Sequence, residues 1–221
     1  MAIRNVYKVN LDKVNYVDII EVDFKWNPGF AVVQKQKNIK ALHENYIKKY
    51  KNDKILEISS KSLNPLGIKL SAFNLKFTTL KKKQTYTVEC AFQSSKKFEN
   101  GGPYTDLLGV DSKKAKSDIR LKESGNLVSF VFFKEEWPLE PKTLFYDWLY
   151  MNALYKNKDL AKEIVQYNAF TDIEFNPKKS INCQAYSAAL FVSLSKRGLI
   201  DKAMENSTEY KKVILKECAM I

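Results

Sequence analysis

The sequence predicts a mainly α, α+β fold in one domain, with a small β element near its N-terminal half. Three observations predict it. Apolar residues recur at helical spacing in several long segments, strict period-two alternation is confined to one early stretch, and no linker, repeat or composition shift divides the 221 residues. A chain of that length buries about 70% of its unfolded surface, enough for a core without covalent staples.

Ile20-Glu21-Val22-Asp23-Phe24-Lys25-Trp26 alternates apolar and charged residues, as a half-buried strand does, and Asn27-Pro28-Gly29 ends it. Ile39, Leu42, His43, Tyr46, Ile47 and Tyr50 then mark an amphipathic helix, with His43 on its apolar stripe as a packed histidine. Lys54–Ser59 and Lys69–Thr79 read as strands around a turn at Asn64-Pro65-Leu66-Gly67, and Leu80–Gln84 as a solvated hairpin tip. A helix begins near Thr87. Glu99-Asn100-Gly101-Gly102-Pro103-Tyr104 must be a loop, and without a following Gly-Lys-Ser/Thr it is no P-loop. Leu127–Phe133 is a strand or buried run. Helices are predicted over Lys142–Asn157, Asp159–Tyr167 and Asn182–Arg197, the last stopped by Gly198, with a helical tail from Asp201.

Composition narrows the chemistry. Apolar residues make up 45% and aromatics 13%, which excludes a disordered chain, and no apolar run approaches a membrane span. Met1–Lys8 lacks an apolar signal core, so a cytoplasmic location is expected. Cys90, Cys183 and Cys218 are scattered and form neither a disulfide framework nor a metal motif. With His43 as the single histidine, a catalytic triad or a histidine-rich zinc site is excluded. Acid–base chemistry falls to carboxylates, lysines, tyrosines or amides, and no metal or other cofactor is called for.

The net charge is +12, but arginine contributes only Arg4, Arg120 and Arg197 to the 37 basic residues. Lysine lacks the planar fork that reads guanine or phosphate geometry. The excess is therefore a diffuse field, which permits a polyanionic partner without demanding one.

On a helix, Glu89, Gln93 and Lys96 lie at i, i+4 and i+7, placing a carboxylate, an amide and an amine on one face. Such a stripe is either a solvent face of weakly pairing side chains or a site in which Glu89 tunes a desolvated Lys96. In the second case Lys96 serves as a nucleophile towards a sugar carbon or as a general base.

Val88-Glu89-x-x-Phe92-Gln93-x-x-Lys96 resembles the VEHYFQAxK signature of the NADAR superfamily, the NAD- and ADP-ribose-associated or YbiA-like proteins. Leu70-Ser71-Ala72-Phe73-Asn74 resembles its LSNF element, Ser112–Lys116 its sPxxAK stretch, and Asn152–Leu160 its ALxxKFxxNxxL helix. Phe170–Glu174 resembles the segment ending in a functional glutamate, and Ser180-Ile181-Asn182 the late GxNxLG motif. The resemblance covers about residues 68–197. Phe24–Phe30, Phe92–Lys96 and Gly101–Leu108 are similar to one branch, the NADAR antitoxins paired with DarT-type DNA ADP-ribosyltransferase toxins. Cys90-Ala91 stand where the signature has His-Tyr, and Phe175–Lys178 where the family has WGxG.

The resemblance implies a single YbiA-like helical domain over 1–221: a branch-specific strand and helix over 1–67, a core over 68–200 and a C-terminal helix over 201–221. It implies N-glycosidic hydrolysis, and the branch implies removal of ADP-ribose from guanine in DNA, flipped out or single-stranded. Lys96 and Glu89 are then the catalytic pair. Gln93, Phe92, Ser71, Phe73, Asn74, Gly101, Gly102, Tyr104, Glu174 and Asn182 form the substrate pocket. Trp26, Phe30 or Tyr104 either stack on a base or pack in the core. The implied partners are ADP-ribosylated DNA and a cognate toxin encoded nearby, with no membrane. Two other readings stay open: a housekeeping N-glycosidase on small nucleotide intermediates, and a non-catalytic protein that binds ADP-ribose or sequesters toxin.

Overall fold

A computed structural model describes residues 1–12, 15–79, 83–176 and 181–218, with side chains to 215. They divide into two units, Met1–Ser71 with Lys158–Ile221, and Ala72–Asn157.

In the first unit, β1 (Ala2–Val9) and β2 (Val17–Phe24) pair antiparallel from Ala2 opposite Phe24 to Val9 opposite Val17. Val22 and Phe24 face inward, as the alternation requires. β1 was not foreseen: its buried Val6, Tyr7 and Val9 are broken by Lys8, so it shows no clean period. α1 (Val32–Lys49) packs Ile39, Leu42 and Tyr46 against the hairpin. Its buried Asn38 accepts the Asn27 amide at 2.7 Å and donates to the Asn27 carbonyl at 2.9 Å, fixing the turn that enters the helix. β3 (Ile55–Glu57) follows. Asn64-Pro65-Leu66-Gly67 is not a turn between strands. Asn64 accepts the Leu66 amide at 2.9 Å and caps α2 (Pro65–Lys69), with proline at the first helical position, where its missing N–H is not needed.

In the second unit, the strand expected over 69–79 shrinks to β4 (Lys76–Thr78), paired with β5 (Thr85–Thr87). The expected hairpin tip lies largely outside the described residues. Thr87 accepts the Cys90 amide and caps α3 (Val88–Ser94), every residue of which is buried. β6 (Lys96–Phe98) comes next, then a 3₁₀ turn over Thr105–Gly109, α4 (Ser112–Ser117) and α5 (Arg120–Glu123). β7 (Leu127–Phe132) and β8 (Glu135–Trp137) complete a three-stranded sheet with β7 at its centre. α6 (Leu144–Lys156) supplies Phe145, which stacks on Phe130 at 5.0 Å and on Phe92 at 6.3 Å, while Trp137 packs on Trp148 at 4.9 Å. Aromatic rings therefore dominate this core.

The chain returns to the first unit through α7 (Lys158–Ile164) and β9 (Ala169–Thr171). β9 pairs antiparallel with β1 and parallel with β3, giving the sheet order β2-β1-β9-β3. α8 (Gln184–Lys196), α9 (Ile200–Ala203) and α10 (Ser207–Cys218) follow. The fold is α+β, with more strand than expected: nine strands in three sheets among the described residues, not one small element. Six of them have three residues each, too short to print a period of two. Among the described residues no helix is long and apolar enough to cross a membrane.

Candidate active site around Lys96

α3 is seven residues long and buried on all sides because it passes between the aromatic core and the Cys90–Leu107–Ala115 cluster. Its end is set locally. Ser94 and Ser95 turn their hydroxyls back to the carbonyls of Ala91 and Phe92 at 3.0 and 2.8 Å, satisfying acceptors that the next helical turn would have used. Lys96 is therefore not on the helix, and the predicted i, i+4, i+7 face does not exist in that form. Lys96 opens β6 opposite Phe130, and its ammonium returns over the Phe92 ring, with Nζ 4.9 Å from the centroid.

The three residues still meet, together with Phe92. Glu89 and Gln93 are buried, and Gln93 Nε2 donates to Glu89 Oε1 at 2.9 Å. Gln93 Oε1 is buried with no hydrogen-bond partner among the described residues. An orphaned amide oxygen in the interior costs about 1–3 kcal/mol, which makes Gln93 a candidate site residue beside Glu89. Burial lowers the Lys96 pKa; the Glu89 charge acts in the opposite direction, and Lys116 adds a smaller push downward. Lys116, on α4, lies with Nζ 5.1 Å from the Phe73 ring. Sequence reasoning passed over it as a site residue, although it is the last lysine of the Ser112–Lys116 stretch.

Gly102 supports the lysine from below. Its φ is +78°, and a Cβ there would lie 2.3 Å from the Lys96 carbonyl oxygen, so only glycine permits this approach. At Gly101 a Cβ would meet the Tyr104 hydroxyl, which hydrogen-bonds Ser124. The Arg120 guanidinium lies 4.4 Å over the Tyr104 ring and pairs with Asp106 and Asp118, covering one face of that ring. Phe73 is half-buried, its carbonyl accepting the Ser112 hydroxyl at 3.2 Å, and Asn74 is exposed.

Ser71, Glu174 and Asn182 belong to the first unit. Ser71 is buried, exposed Glu174 pairs with Lys35 at 3.2 Å, and Asn182 precedes α8. Trp26 lies between Arg4 and Lys35, 5.1 and 5.8 Å from its ring, while Phe30 is 98% exposed.

The first unit also holds a buried acidic network that the sequence did not announce. Glu57 accepts the Thr171 hydroxyl at 2.6 Å and the Ile173 amide at 2.8 Å, and His43 Nε2 lies 2.8 Å from the same hydroxyl. Asp172 accepts Gln184 Nε2 at 2.9 Å, and Gln184 also donates to the Ile58 carbonyl. Burial raises the pKa of both carboxyls, and the charge of Glu57 adds to the shift at Asp172. Burial lowers His43 to about 4, so it is the packed, neutral histidine expected from its stripe. Cys90 and Cys183 are buried free thiols, the latter held well above the usual range by burial.

No curated protein matches the chain. The buried Glu89–Phe92–Gln93 segment and Lys96 stand where a NADAR signature requires them, and a family model described as "DarT1-associated NADAR antitoxin" matches residues 2–220, so the chain belongs to that antitoxin family, whose name links it to a DarT toxin.

Proposed function

We propose that the protein is an N-glycosidase that removes ADP-ribose from guanine in DNA, reversing the modification made by its cognate toxin. The observation that carries the proposal is Lys96 itself: an amine with its pKa lowered by burial, beside a buried carboxylate and an open amide acceptor. A neutral amine is a nucleophile at moderate pH, whereas an ordinary lysine is not.

In this reading the Lys96 amine attacks the anomeric carbon of the ribose joined to guanine. The carbon–nitrogen bond to guanine breaks as the bond to Nζ forms. Glu89 accepts the proton released by Nζ and delivers it to the departing guanine nitrogen, so charge balances over the step. The lysine adduct opens to an imine, water adds, and ADP-ribose leaves with Lys96 restored. The Gln93 amide holds the Glu89 carboxylate by its donor and accepts a ribose hydroxyl with its free oxygen. Lys116, beside the site, attracts the pyrophosphate.

The test incubates ADP-ribosylated single-stranded DNA with the protein and weighs the products. Free ADP-ribose and restored guanine are expected, and borohydride added during turnover should link ADP-ribose to Lys96. Protection from the toxin that survives unchanged in Lys96→Ala supports sequestration instead. Faster release from small nucleotide intermediates than from DNA supports a housekeeping enzyme.

A further inference from the structure

The second unit holds a cavity of about 740 Å³, and none of its lining residues belongs to the Lys96 cluster. Ligand pockets run roughly 300–1,000 Å³, so it is large enough for a nucleotide. The walls come from the β4–β5 hairpin, the β7–β8 hairpin and α6.

Its lining is aromatic. Phe77 and Trp148 each meet Phe132 edge-to-face at 6.2 Å, and Phe133 lies 4.4 Å from Phe132 yet is 60% exposed. A buried indole N–H normally finds an acceptor, and the buried Trp148 Nε1 has none among the described residues. Two lysines stand among the rings. Lys134 is exposed, and Lys156 has Nζ 6.0 Å from the Phe77 ring, its pKa lowered by burial.

The turn that presents Phe133 and Lys134 is an independent observation. Phe132 pairs with Glu135, leaving Phe133 and Lys134 as a two-residue hairpin turn with φ of 46° and 74°. Such turns demand positive φ at both positions and are made at ease by Asn-Gly. In phenylalanine and lysine that conformation is strained, and strain of this kind persists where the side chains are put to use. An exposed aromatic ring and a cation are held at the cavity in the one turn geometry their residue types resist.

We infer that this cavity takes an unmodified base of a single DNA strand, stacked on the Phe132–Phe133 wall, with Lys134 and Lys156 on the flanking phosphates. Rings interleaved with lysines are what a strand of bases and phosphates complements, because every base offers a π-face. The polar groups beside the rings, Thr79, Gln84 and Asn152, suit bases of either hydrogen-bonding polarity, so the site grips without reading sequence, and Glu135 is the one acidic residue of the described lining, outnumbered by the two lysines. The inference rests on the reading that the substrate is modified DNA and says where the protein holds the strand beyond the modified guanine.

The test measures fluorescence anisotropy of an unmodified, labelled single-stranded oligonucleotide, which requires no hydrolysis. Phe133→Asn with Lys134→Gly relieves the strained turn, so the double variant should fold with an unchanged or higher Tm. Its affinity should fall about tenfold or more, and its salt dependence should be shallower by about one contact. An abasic oligonucleotide should bind the wild type no more tightly than the double variant binds the full strand. Equal affinities of wild type and double variant, or an abasic strand bound as tightly as the base-bearing one, would overturn the inference. So would a double variant that keeps its DNA affinity but no longer retains purified toxin. If the wild type hydrolyses no ADP-ribosylated DNA but the double variant still loses the unmodified strand, the glycosidase reading falls and the cavity assignment stands.

Discussion

Gln93 reaches back one helical turn to Glu89, its Nε2 donating to Oε1 at 2.9 Å, while its own oxygen remains buried and unpartnered. One side chain thus aims a carboxylate and keeps an acceptor vacant. Gln93→Met keeps the length and the burial but removes both functions. Stability should fall slightly, because the orphaned Gln93 oxygen disappears but the buried Glu89 carboxylate loses its donor. The rate of ADP-ribose release should fall by about tenfold or more, the equivalent of one lost hydrogen bond at roughly 1.4 kcal/mol. A thermal melt beside a single-turnover assay checks both, and normal turnover at any Tm would refute the assignment.

In the proposed mechanism Lys96 acts through its neutral form, so hydrolysis should rise with pH through a midpoint below the ordinary lysine value and then level off, since burial lowers the Lys96 pKa. Lys116 contributes to that lowering. Lys116→Gln should therefore displace the midpoint to higher pH, leaving less neutral amine near neutrality. Lys96→Arg, always charged, should reduce release by about a thousandfold or more at every pH. A pH–rate profile of the three proteins settles the direction.

Glu57 is a carboxyl whose folded pKa is raised, so the folded state holds its proton over a range where the unfolded chain has lost it. Its contribution is full below the ordinary carboxylate range and fades as pH climbs, and Asp172, raised to about 8, fades over the same climb. His43 runs the other way: lowered to about 4, it supports the fold above its ordinary value and loses that support in acid. Glu57→Gln preserves the shape. The new amide donates to Thr171, whose hydroxyl then turns to His43, and the amide oxygen still accepts Ile173. The variant should melt a few degrees higher than the wild type at alkaline pH, at roughly 2–4 °C per kcal/mol for a chain of this size, and the two should converge in acid. Melting curves across the pH range test this, and a variant less stable in alkali would reject it.

Gly102→Ala places a methyl where the Lys96 carbonyl already stands and demands a positive φ of alanine. Destabilisation of about 1–3 kcal/mol or more is expected, with hydrolysis reduced further than the melting shift explains, since the lysine backbone must move. Measuring turnover well below the melting point separates the two effects.

The elements written in the sequence were those that carry their own signal. Phe24 and Val22 alternate, Leu42 and Tyr46 recur at helical spacing, and Thr87 caps α3 within three residues. The end of α3 was not legible, because Ser94 and Ser95 close it by side-chain bonds while Lys96 is claimed by a strand more than thirty residues downstream. The acidic network was equally hidden: Glu57 meets Thr171 and Ile173, and Gln184 meets Ile58, across more than a hundred residues. Around Lys96 the motif named Glu89, Gln93 and Phe92 correctly as neighbours, through an incorrect helical path.

β9 lies between β1 and β3, yet it is made about 110 residues after β3. Until Thr171 has left the ribosome, the flank of β1 and the flank of β3 have no strand to bind them. Broken synthesis therefore yields a chain with two bare sheet edges, an invitation to proteases and to aggregation. For an antitoxin the arithmetic is unforgiving: a message cut before the β9 codons provides no closed sheet, and supply depends on chains extended past Thr171.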